Sequence, residues 1–103
     1  MILDFTCVRR DEQLRIEVSG DILLLNGARL DFGPLPEGGM LPRDAIASEW
    51  IGSGARREQG HVRVTVVLPC GPEAPAERRF AKTMTITDDG PVALPPYGDA
   101  EIV

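Results

Sequence analysis

The chain has 103 residues and a mass of 11.2 kDa, the size of one ordinary domain: long enough to bury a single core, too short for two. Apolar residues make up 43% and charged residues 26%, a globular composition, and a net charge of −5 with a pI near 4.7 has the wrong sign for a nucleic-acid binder or a partner of anionic membranes. No run of about 18 apolar residues and no basic-then-apolar leader is present, so the sequence predicts a soluble cytoplasmic protein, no membrane partner, and two cysteines held as free thiols by the cytosolic redox poise. A Cys7–Cys70 bridge requires the fold to bring the two together, and that cannot be read from one sequence.

In chain order, "ILDFTCV" sets Leu3, Phe5 and Cys7 on one face against Asp4 and Thr6, the two-residue period of a half-buried strand. "QLRIEVSG" repeats it with Leu14, Ile16 and Val18 inward, and the short polar "RRDE" between them predicts a hairpin and the start of a meander. Asn26-Gly27 sits between two apolar runs, where both residues tolerate the positive φ of a two-residue hairpin turn. Residues 33–44 read as a long loop rich in proline and glycine. "AIASEWIGS" fits a strand or a single turn leading into one, and "GARREQG" reads as a polar connection. "HVRVTVVL" is the clearest strand, with Val62, Val64, Val66 and Leu68 on one face. "FAKTMTIT" alternates again, "DDGP" reads as a turn, and residues 95–103 as a proline-rich acidic tail. The sum predicts an all-β domain over residues 1–94: an antiparallel meander of six to seven short strands forming a sandwich or partly closed barrel, with little or no helix.

Catalytic patterns are sparse. His61 and Cys70 mark the two ends of one strand, about 25–30 Å apart if it is extended, which is beyond hydrogen-bond or metal-ligand reach. "GSG" at 52–54 is not a nucleophile elbow, and the glycine loops match neither a Walker motif nor a dinucleotide fingerprint. Asp88-Asp89-Gly90 lacks the further spaced ligands of a calcium loop and is a good turn in its own right. No catalytic, cofactor or metal residues are assigned, and the expectation is a non-enzyme. Three arginine doublets, Arg9-Arg10, Arg56-Arg57 and Arg78-Arg79, fall in the predicted connections; if two connections share one end of the sheet they form a basic rim for an acidic partner, and otherwise they are solvated and paired with neighbouring acids. Trp50 and Tyr97 are stacking surfaces in a small-ligand reading, against which stands Trp50 as a core anchor.

The stretch "EWIGSGARREQGHVRVTVVLPCGPEAP" with "FAKTMTITDDGPVALPPY" resembles the middle and end of small uncharacterised proteins encoded among phage or prophage structural and tail genes, through Trp50-Ile51, the strand from Val62 to Pro69, and the close from Asp89 to Pro95. The resemblance implies a structural role and no catalytic residues. The reading is a non-enzymatic structural or assembly module acting through protein contacts, self-association included, in a phage-like particle. Alternatives are a small-ligand or carbohydrate-binding β module using Trp50 and Tyr97, and an accessory subunit of an enzyme complex.

Overall fold

The computed structural model describes residues 1–97. Nine strands are assigned there: β1 (Ile2–Arg9), β2 (Ile16–Ser19), β3 (Ile22–Leu25), β4 (Ala28–Asp31), β5 (Met40–Leu41), β6 (Ile51–Glu58), β7 (His61–Cys70), β8 (Met84–Thr85) and β9 (Gly90–Pro91), with one helical turn, α1 (Ala76–Arg79), and a 3-10 turn at Arg43–Ala45. They form two open sheets, β5-β6-β7-β1-β8 and β4-β3-β2-β9. Both contribute to one core: Leu3, Ile51, Val62, Val64 and Val66 from the first sheet, Ile16, Val18, Leu23 and Leu25 from the second. The molecule is a small all-β sandwich, and the faces assigned to residues 14–18 and 62–68 by alternation are the buried ones. Among the described residues, no helix is long and apolar enough to cross a membrane.

Turn chemistry sets the local pairings. Asn26 (φ 52°) and Gly27 (φ 83°) close the β3–β4 hairpin as the sequence predicts. Gln59 (φ 50°) and Gly60 (φ 80°) do the same between β6 and β7, which pair Glu58 with His61. The polar connection expected across residues 54–60 is therefore only its last two residues, and Arg56 and Arg57 belong to a strand. The glycines at 52 and 54 are a close-approach device: β6 bulges between Ile51 and Ala55, and a Cβ at Gly54 would overlap the Leu41 carbonyl oxygen of β5.

The expected β1–β2 hairpin does not form. β1 runs parallel to β7, with Leu3 opposite Val64 and Arg9 opposite Cys70, while β2 lies in the other sheet between β3 and β9. Residues 10–15 instead carry the chain from one sheet to the other, and Asn26 clasps their far end: its Oδ1 accepts from the Arg15 amide (2.7 Å) and its Nδ2 donates to the Gln13 carbonyl (3.0 Å). The architecture is consequently not a pure antiparallel meander.

The parallel register also brings the cysteines together. Cys7 and Cys70 are joined by a disulfide, with Cα atoms 6.0 Å apart and a sequence separation of 63. This corrects the expectation of two free thiols, and the cause is a long-range pairing of β1 with β7 that no local pattern announces.

Candidate functional site

β1 and β7 are parallel, so their C-terminal ends lie at the same end of the first sheet, and β6, antiparallel to β7, begins there. That end gathers six of the eight residues singled out from the sequence: Arg9, Arg10, Trp50, Arg78, Arg79 and Tyr97. Arg56 and Arg57 sit beside the β6–β7 turn at the opposite end.

The gathered side chains are mostly engaged with one another. The Arg10 guanidinium lies 4.0 Å from the centre of the Trp50 ring and donates to Glu12 (2.6 Å) and Glu49 (2.9 Å). Trp50 is 6% exposed and its amide is capped by the Ser48 hydroxyl, so it is a core anchor with a covered face and does not offer a free stacking surface. Arg9 pairs with Asp11 at 2.7 Å in full solvent. The Tyr97 hydroxyl donates to the Arg10 carbonyl, and the Tyr97 carbonyl accepts from the Gly71 amide at 3.0 Å.

Arg78 is the largest departure from expectation. It is 3% exposed: Nε and Nη2 donate to the Pro69 carbonyl (2.9 and 2.6 Å), and Nη1 donates to the Pro95 carbonyl (2.6 Å). Burial pushes its pKa below the usual arginine value. A side chain so placed cannot belong to an exposed rim; it clamps the end of β7 to the segment leading to Tyr97. Pro95 and Tyr97 are thereby docked on the body, whereas the rest of the expected tail, residues 98–103, lies outside the described residues. Arg57 has the same character at the other end, donating to the Leu35 (2.6 Å), Phe32 (3.1 Å) and Gly60 (3.2 Å) carbonyls and to Asp21 (2.9 Å). It ties β6 to the loop after β4 and to the second sheet.

Two gathered residues face outward together. Phe80, which follows α1, is 76% exposed, and Arg79 lies 5.8 Å over its ring. Sequence reasoning picked the arginine and missed the phenylalanine, which read as the start of an alternating strand; the signal was its position straight after a proline-rich turn and two arginines.

On the outer face of the same sheet, Asp4 accepts from Arg63 Nε (2.7 Å) and Nη2 (3.0 Å), and from the Thr83 hydroxyl (2.5 Å). Arg63's hydrogen bond, with help from Thr83, holds the Asp4 carboxyl below the ordinary carboxylate range. Arg56, paired with Glu58, and Ser53 line the shallow depression beside this pair. The two arginines stand directly opposite across β6 and β7, so Asp4 and Glu58 neutralise what would otherwise be a like-charge cross-strand pair. His61 is exposed at the start of β7 and Cys70 ends it. Asp89 Oδ1 accepts from the Gly20 amide (2.8 Å), clasping the turn before β9 to the β2–β3 turn.

Comparison with family models, with curated proteins and with solved structures found no match to this chain.

Proposed function

We infer that this protein is a non-enzymatic assembly module that works through protein contacts, its contacting end being the α1 end of the first sheet. The carrying observation is the outward pair of Arg79 and Phe80. A phenylalanine left in water beside a cation, when neighbouring arginines are neutralised or buried, fits a partner that presents a carboxylate next to an apolar side chain. Lys82, two residues further on, adds a second cation to the same segment. The disulfide and the Arg78 clamp brace the strand ends on which the patch is mounted, so a contacting surface would be preorganised there. The resemblance to phage structural proteins supports the same reading and suggests a virion- or tail-associated setting.

Photocrosslinking tests it directly. With benzoylphenylalanine in place of Phe80, irradiation in the native host should give one discrete protein adduct, whereas the same group in place of Glu17, exposed on the second sheet, should not. No adduct at position 80, or equal labelling at both positions, overturns the reading.

A further inference from the structure

The second sheet ends at β4, whose Ala28, Arg29 and Asp31 are exposed and whose Leu30 packs against the core. In the antiparallel β3–β4 ladder, residues alternate between exchanging backbone hydrogen bonds with the neighbour and directing them away. The Phe32 amide donates to the Asp21 carbonyl (2.9 Å), extending the ladder in which Leu30 faces Leu23 and Ala28 faces Leu25. By alternation Ala28, Leu30 and Phe32 bond inward. Arg29 and Asp31 then direct both N–H and C=O toward the open side.

Their side chains carry opposite charge and are only weakly paired with each other. The Arg29–Asp31 approach within the strand is 4.0 Å, at the outer limit of an ion pair. Asp31 Oδ1 accepts from the Gly33 amide at 2.8 Å, which fixes the carboxylate and leaves Oδ2 available.

The geometry points to this edge as the seat of a second copy of the chain, joined by antiparallel β4–β4 pairing in one register. Three registers let the outward backbone groups of two such edges meet about a two-fold axis. Arg29 opposite Arg29 and Asp31 opposite Asp31 each place like charges face to face, which is unfavourable. With the axis at Leu30, Arg29 of each copy faces Asp31 of the other. Each such pair then exchanges both backbone hydrogen bonds and adds a cross-strand ion pair. The charge order of four residues therefore selects a self-complementary contact, and the two four-stranded sheets become one of eight. The inference deepens the assembly reading and rests on it for its purpose, but it uses a surface separate from the α1 end.

A charge-swap series read by light scattering during size-exclusion chromatography tests it. The wild type should move from 11.2 kDa toward twice that mass as concentration rises, and less so at high salt. Arg29→Asp and Asp31→Arg should each be monomeric at the same concentrations, their circular dichroism unchanged because both sites are exposed. Mixing the two variants in equal amounts should restore the dimer, and so should the doubly swapped chain. The amides at positions 29 and 31 should gain hydrogen-exchange protection with concentration in the wild type and in neither single variant on its own. A wild type that stays monomeric, or single variants that dimerise as well as it does, overturns the inference. Such a failure with a surviving adduct at position 80 would leave the protein-contact reading standing; loss of that adduct with the swap series intact would do the reverse.

Discussion

Breaking the Cys7–Cys70 bond should unfold the protein at a much lower temperature without changing its fold at 20 °C. The bond spans 63 residues, more than half the chain, and fastens the C-terminal ends of the two central strands of the first sheet. Closing a loop of that length removes about 4 kcal/mol of chain entropy from the unfolded state, and measured effects cluster at about 2–4 kcal/mol. For a domain of this size each kcal/mol shifts the midpoint by about 4–8 °C, so the drop should be roughly 10–30 °C. That is a large share of a typical stability of about 5–15 kcal/mol. The assay is thermal unfolding followed by circular dichroism on the oxidised protein, on the protein held reduced, and on Cys7→Ala/Cys70→Ala, with intact mass confirming the loss of two hydrogens on oxidation. Reduction is the cleaner perturbation, because both sulfurs stay in place and Cys70 is almost fully buried. Oxidised and reduced forms melting within about 2 °C of each other would refute the reasoning, since a loop of this length cannot be closed for nothing.

Arg78→Ala should cost about 2–4 kcal/mol by leaving the Pro69 and Pro95 carbonyls without donors, read as a fall in denaturation midpoint; Arg78→Lys should recover only part, because one ammonium cannot reproduce the forked contact. Removing residues 95–103 should lower the midpoint for the same reason, and an unchanged midpoint would contradict the clamp. Asp4, its pKa depressed by Arg63, contributes stability above the ordinary carboxylate value of about 4 that is lost as pH falls through its lower folded value. Asp4→Asn should therefore destabilise by about 1 kcal/mol at pH 7, a half-exposed pair warranting no more, and by progressively less below pH 4 in denaturant titrations. Gly54→Ala should cost about 2 kcal/mol by driving β5 off β6 at Leu41, detected as faster amide exchange in β5.

Which residues face inward was legible from the sequence, and which strands lie side by side was not. Alternation in Val62, Val64, Val66 and Leu68 reports burial on one face, because a strand's side chains alternate whatever its neighbour is. It is silent on the neighbour. "ILDFTCV" and "QLRIEVSG" carry the same two-residue pattern, and in a sandwich two such strands satisfy it equally well in one sheet or in two facing sheets. The short "RRDE" link favoured the hairpin, yet Leu14 buries in the core and Asn26 captures residues 13 and 15, so the link became a crossing between sheets. The parallel β1–β7 pairing, and with it the disulfide, joins residues about 60 positions apart and leaves no local trace. Turn residues were informative where Asn26-Gly27 met apolar runs; the same chemistry in Gln59-Gly60 was obscured by the charged residues before it.

The arginine doublets look alike in the sequence and differ in the fold because of what surrounds them. Proline has no N–H, so a proline-rich segment cannot run a full ladder, and its carbonyls are left to find donors elsewhere. Arg78 meets two such carbonyls, Pro69 and Pro95, and Arg57 meets the carbonyls of Phe32 and Leu35 that flank Pro34. A guanidinium supplies several donors in a fixed fork and remains charged when partly desolvated, so one arginine can close two loops at once. Arg9, Arg10 and Arg56 have acids within two or three residues in sequence and pair with them. Arg79 has an acid equally near in Glu77, but its guanidinium lies over the Phe80 ring, and that ring turns outward with it. Proline-rich loops and local acids therefore account for the arginines that build this fold, and sequence distance alone does not separate them from Arg79, which lies with Phe80 at the surface.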